Sequence, residues 1–115
     1  MRIISSRTSL SSIKSECNHF FTTLVKGVAD VERRIIALDA EMHSDLEQLL
    51  LEDGSTQEDL WGFNILFDTA IENALEYTSL INIRPMQNNS SMEILDPGLR
   101  ELIKSITWEL IDHAA

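Results

Sequence analysis

Only one cysteine, Cys17, occurs in the 115 residues. That excludes an internal disulfide and a zinc site built from several thiolates, and it fits a reducing, cytoplasmic compartment. No apolar run approaches the roughly 20 residues that span a bilayer. The opening MRIISSRTSLSS is too polar for the apolar region of a signal peptide. No membrane partner is expected. Cations are missing from the middle of the chain: no Lys or Arg lies between Arg34 and Arg84, acids run from Glu41 to Glu76, and the net charge is −10. Such a field repels phosphate backbones, which argues against nucleic acid as a partner. It suits a solvated acidic face, or a surface that attracts a basic partner or a cation. A Gly-rich phosphate loop, a serine-nucleophile elbow and an HExxH pair are also absent, and no cofactor is expected. There is no internal repeat and no low-complexity tract.

What is present reads as a folded globule. A 43% hydrophobic share over this length suits one domain, residues 1–115, with a modest core. Arg2 to Ser5 is expected as a short edge strand, followed by a helix capped by Thr8 or Ser9. Leu10, Ile13, Cys17, Phe20, Phe21 and Leu24 recur at helical spacing and carry that helix to about Thr23. Val25–Val31 and Ile35–Leu38 are β-branched runs around a charged segment and predict an antiparallel hairpin. A continuous helix presenting Val28, Val31, Ile35 and Leu38 competes with that reading.

Ser44 with Glu47 forms a capping-box pattern, Leu46, Leu49 and Leu50 share a face, and Gly54 closes this short helix. Trp61–Phe67 alternates, with Trp61, Phe63, Ile65 and Phe67 on one side, and Tyr77–Arg84 alternates likewise. Asp68–Ala74 connects these two strands, Pro85 ends the second, and Met86–Ser91 is a loop. Asp96 caps a closing helix with Pro97 in its first turn and an apolar stripe from Leu99 to Ile111. The expected fold class is α+β: a mainly antiparallel sheet of two hairpins, packed with N-terminal, short middle and C-terminal helices.

The run VKGVADVERRIIALDAEMHSDLEQLLLEDGSTQEDLWGFN, followed by SLINIRP and a helix opening on DP, resembles a small prokaryotic family known only as a domain of unknown function. The matching residues are His43, Asp45, Leu50, Leu51, Gly54, Ser55, Gln57, Asp59, Leu60, Trp61, Gly62, Asn64, Asn82, Arg84 and Pro85. The resemblance covers the chain from about Lys26 to the last helix. It implies an α+β fold and no known activity. The family has glycines where this chain has Asp39 and Ala40, and a connection richer in proline and glycine than Asp68–Ala74.

Polar residues in apolar strands are the candidates for function, because burying them costs free energy unless they are paired or used. Asn64, Asn82 and Arg84 are the foremost. If their strands pair with Asn64 opposite Asn82, Gly62 falls opposite Arg84. The arginine and both amides then share the side away from Trp61, with room for an anion at the planar guanidinium. The structural alternative pairs Arg84 with Asp59 or Glu58 and has the asparagines hold loop backbone. Glu58 and Asp59 can serve as acid and base, or can tie down the loop after Gly54 together with Gln57. His43, with Glu41 and Asp45 two residues away on either side, offers metal-ligand types at a spacing that suits a helix face poorly. Cys17 and His19 do not share a helix face, so Cys17 reads as a core residue. Trp108 and His113 read as surface or interface residues.

Two functional expectations follow. The first is an acidic protein-interaction module that self-associates as a homodimer or meets a protein partner. The second is a small-ligand or catalytic domain with an anion or metal site around Arg84, Asn82, Asn64, Asp59, Glu58 and His43.

Overall fold

The computed structural model describes residues 1–114. The first strand, β1 (Arg2–Ile4), lies at the edge of the sheet. After β2 (Thr8–Ser9), the Ser9 hydroxyl accepts the Ser12 amide at 3.1 Å and starts α1 (Leu10–Glu16). This helix stops well short of Thr23, which corrects the longer helix read from the apolar stripe. Beyond Cys17, the Asp39 carboxylate binds both the backbone amide and the ring of His19. The Thr23 carbonyl accepts the Phe67 amide at 2.9 Å. These tertiary bonds draw the chain into the sheet, and Phe20 is left exposed.

The valine-rich run forms strands, not a continuous helix. β3 (Leu24–Asp30) and β4 (Ile35–Leu38) pair antiparallel, with Gly27 opposite Leu38 and Asp30 opposite Ile35. Asp30 makes the reversal: one carboxylate oxygen accepts the amides of Glu32 and Arg33 at 3.0 and 2.8 Å. α2 (His43–Glu52) begins one residue before the predicted cap. Ser44 therefore lies inside the helix, Met42 holds the cap position, and among the described residues no side chain caps α2. The capping box does not form, because Glu47 turns to Arg84 instead. Gly54 follows the helix at φ 105°, a conformation that suits glycine.

β5 (Leu60–Leu66) pairs with β3 along its whole length, with Trp61 opposite Ala29 and Ile65 opposite Val25. Its alternation is as expected: Trp61, Phe63 and Ile65 join Ile36 and Leu38 against Ile103 and Ile106 of α3 (Pro97–Leu110). On the other face, Val28, Ala37 and Leu60 pack on Leu46 and Leu50 of α2. Asp96 caps α3 by accepting the Gly98 amide at 2.8 Å, with Pro97 in the first turn. A short β7 (Ile111–Asp112) then pairs parallel with β2.

The second hairpin differs from expectation. The partner of β5 is the two-residue β6 (Leu75–Glu76), which sets Asn64 opposite Glu76 and Ile65 opposite Leu75. The main sheet is antiparallel, in the order β1-β4-β3-β5-β6. Tyr77–Arg84 is not a strand. It leaves the sheet and tightens into a turn of 3₁₀ helix at Leu80–Asn82, capped by the Ser79 hydroxyl. Gly62 permits this. A Cβ there would lie 2.5 Å from the Ser79 Cβ, so the space beside the glycine is occupied by Ser79 rather than by Arg84.

Candidate functional site

Along the uncovered edge of β5, the Asn82 side chain takes the place of a strand. Its Oδ1 accepts the Gly62 amide at 2.8 Å, and its Nδ2 donates to the Gly62 and Met92 carbonyls at 3.0 and 3.1 Å. Asn82 is fully buried. One primary amide thus satisfies both backbone groups of an edge residue, as a ladder neighbour would. Asn89 continues the pattern. Its Nδ2 donates to the carbonyls of Asn82, Ser91 and Glu93, and its Oδ1 accepts the Leu95 amide. Nothing in the sequence pattern marked Asn89, which sits in a stretch that reads as loop.

Arg84 belongs to the same knot, and the predicted register around it does not form. Its guanidinium donates to Glu47 at 3.1 Å, to the Gln57 carbonyl at 2.9 Å and to the Ile81 carbonyl at 3.0 Å. It also lies 4.7 Å from the ring centroid of Trp61. The arginine and the tryptophan are therefore together, where separation was expected. Burial lowers its pKa, and Glu47 opposes that shift. Its acid is Glu47 of α2; Glu58 and Asp59 contribute backbone instead. The Glu58 carbonyl accepts Gln87 Nε2 at 3.0 Å, and the Asp59 carbonyl accepts the Val31 amide at 3.0 Å. Asn82 and Arg84 thus have their donors taken up by protein, while Asn64 lies elsewhere.

Asn64 meets His43. The imidazole Nε2 lies 2.9 Å from the Phe63 carbonyl and 2.9 Å from Asn64 Oδ1, while Asn64 Nδ2 donates to Glu76 at 3.3 Å. Both neighbours of Nε2 are acceptors, so in the neutral ring Nε2 carries the proton and Nδ1 keeps its lone pair. Among the described residues Nδ1 has no partner. Both residues are buried, and both line an open cleft of about 410 Å³ between the start of α2 and the 78–81 segment. Lys26, Ser44, Thr78 and Ser79 add polar groups. Met42, Leu80 and Met92 form an exposed apolar rim, at 53%, 67% and 44% exposure. The sequence marked Ser44 only as a helix cap and did not mark Lys26, Thr78 or Ser79 as site residues. The register does: Lys26 stands opposite Asn64 on β3.

Burial lowers the His43 pKa from the usual imidazole value, and the charge of Lys26 lowers it further, against the bonds to Phe63 and Asn64. The native state therefore favours neutral imidazole. This contribution to stability is fully present above about pH 6.5. It is lost as the pH falls from there through the folded-state value. In urea unfolding between pH 8 and 5, the wild type is expected to lose stability below about pH 6.5, by at most roughly 1.4 kcal/mol per pH unit from this group. His43→Gln should flatten that portion of the profile. Equal slopes in the two proteins would show that the ring titrates freely in the fold.

The remaining candidates lie apart. Asp45 is exposed while His43 turns inward, and among the described residues no three His, Cys, Asp or Glu side chains converge as a metal site. Cys17 is in the core, where burial first and Asp39 second push its thiol pKa up, the opposite of an activated thiolate. Trp108 packs partly against the core and meets His113 edge-on, with ring centroids 5.0 Å apart. It also borders a smaller cleft of about 280 Å³ that holds none of the predicted site residues. No helix among the described residues is long and apolar enough to cross a membrane.

Across residues 2–110 the chain matches the model of a family described as a protein of unknown function, DUF5674. No curated protein and no solved structure matches it.

Proposed function

Because the chain belongs to the DUF5674 family, whose function is unknown, its own geometry has to guide the reading, and we propose that it is a cytoplasmic small-ligand-binding protein whose site is the His43–Asn64 cleft. The observation that carries this is a buried imidazole whose Nδ1 has no partner among the described residues and stays open to solvent, in a cleft with polar groups within and apolar side chains at the rim. Ligand sites commonly combine apolar walls with a few placed polar groups. Methionines at such a rim adapt to the shape of what they contact.

The second reading is an acidic interaction module that self-associates. It is supported by Leu80, Ile83 and Met86, exposed at 67%, 44% and 98% on one short segment. One set of measurements separates the two. Amide NMR of the full chain, screened against a small-molecule library, should show saturable shifts clustered on Lys26, His43, Ser44 and Asn64. Met42→Asp, at an exposed rim position, should weaken them. No cleft shifts, together with a dimer in sedimentation that Met86→Glu dissociates, would move the conclusion to the second reading.

A further inference from the structure

The cleft's lining constrains the chemistry of its occupant. In a chain of net charge −10, one lining side chain carries a formal charge, and it is a cation, Lys26. Among the described residues Lys26 makes no ion pair; its ammonium rests 5.3 Å from the Phe21 ring centroid. The first turn of α2, which no side chain among the described residues caps, borders the same cleft through His43 and Ser44, while its Asp45 amide is bonded to the Met42 carbonyl. Uncapped helix amides beside a free ammonium favour an anionic group. His43 adds a different demand. The residue is nine-tenths buried and its Nε2 is committed to Phe63 and Asn64, whereas Nδ1, which finds no donor among the described residues, is not sealed from solvent and is open to an occupant of the cleft. A carboxylate cannot satisfy that atom, whereas an N–H or O–H close to a carboxylate can. Met42, Leu80 and Met92 then offer contact to an apolar substituent.

Resting on the ligand-binding reading above, we propose that the cleft takes an N-acylated apolar amino acid. Its carboxylate lies on Lys26 and the first turn of α2, its amide N–H donates to His43 Nδ1, and its side chain packs on the methionine rim. The same chemistry occurs in a free N-acyl amino acid and at the C-terminus of a peptide, where carboxylate capture by backbone amides is a recurring mode of recognition.

The test is amide NMR titration of the full chain with N-acetyl-leucine, N-acetyl-leucinamide and an acetylated hexapeptide ending in leucine. N-acetyl-leucine should shift Lys26, His43 and Ser44 saturably, and the carboxamide should bind about tenfold more weakly, because the charge-assisted bonds are gone. Lys26→Met, at a half-buried surface position, should shrink the difference between acid and amide severalfold while leaving the spectrum folded. Hexapeptide binding tighter than N-acetyl-leucine identifies a peptide terminus as the source; equal binding identifies the free acid. Acid and amide binding the cleft equally would overturn this inference while sparing the ligand-binding reading. Library compounds that shift the cleft when none of these three does would do the same. Absence of cleft shifts with every compound would remove both.

Discussion

Asn82→Leu is expected to destabilise the fold by about 3–5 kcal/mol, since each buried polar group left unpaired costs roughly 1–3 kcal/mol. The groups stranded are the Gly62 amide and the Gly62 carbonyl, both bonded to this one side chain in the interior, while the Met92 carbonyl loses one donor and keeps the Ser79 amide. Leucine is close in size, so the loss comes from hydrogen bonding rather than from a cavity. Beyond energy, the substitution frees the 77–95 segment from the edge of β5, exposing an unpaired strand edge that can template aggregation. Urea unfolding followed by far-UV circular dichroism measures the loss. Asn73→Ala, at an exposed asparagine with no side-chain bond among the described residues, is the control and should stay within about 0.5 kcal/mol of wild type. An Asn82→Leu protein within about 1 kcal/mol of wild type would mean that water replaces the amide and that this edge of β5 is open to solvent.

Arg84→Met should cost a similar amount, about 3–5 kcal/mol, the usual consequence of removing one partner of a buried ion pair. The pair is well shielded, with the Arg84 and Glu47 side chains 10% and 15% exposed. Methionine retains much of the apolar contact with Trp61 but leaves the Glu47 carboxylate and the Ile81 carbonyl without the arginine donor, while the Gln57 carbonyl keeps only the Leu60 amide. Arg84→Lys should recover little, because a point charge cannot serve three acceptors set around a planar fork. The informative comparison is the double variant Arg84→Met with Glu47→Met. With both charges gone, no uncompensated carboxylate remains, and a substantial share of the loss should return. A double variant as unstable as the sum of the singles would assign the cost to packing. An Arg84→Met protein of unchanged stability would leave the guanidinium available to an outside anion.

These two experiments bear on the site because the knot around Arg84 and Asn82 positions one wall of the cleft. Ser79, Leu80 and Ile81 line the cleft and precede Asn82 directly. Their placement depends on the Asn82 clamp and on the fit of Ser79 against Gly62. Loosening the clamp should therefore weaken ligand binding as well as stability. His43→Gln acts from the opposite wall.

Local pattern alone determined a good deal of this molecule. Two-residue alternation placed Trp61, Phe63 and Ile65 on one face of a strand, β-branched density made 24–38 a hairpin, and Asp96-Pro97 opened the last helix. These are effects of neighbours along the chain, so a linear reading captures them. The resemblance put glycine where this chain has Asp39, and φ at that position is 77°, a region that favours glycine. Tertiary structure decided the rest. The apolar stripe through Phe21 promised helix, but Asp39 and Phe67, distant in sequence, captured 17–23. Tyr77–Arg84 alternates like a strand, yet a side-chain amide replaced its backbone at the ladder. Arg84 took its acid from a helix 37 residues earlier, and His43 met Asn64 across 21. The physical reason is common to all of these: polar groups inside a protein are satisfied by whatever folding brings within about 3 Å, and that distance bears no relation to separation along the chain.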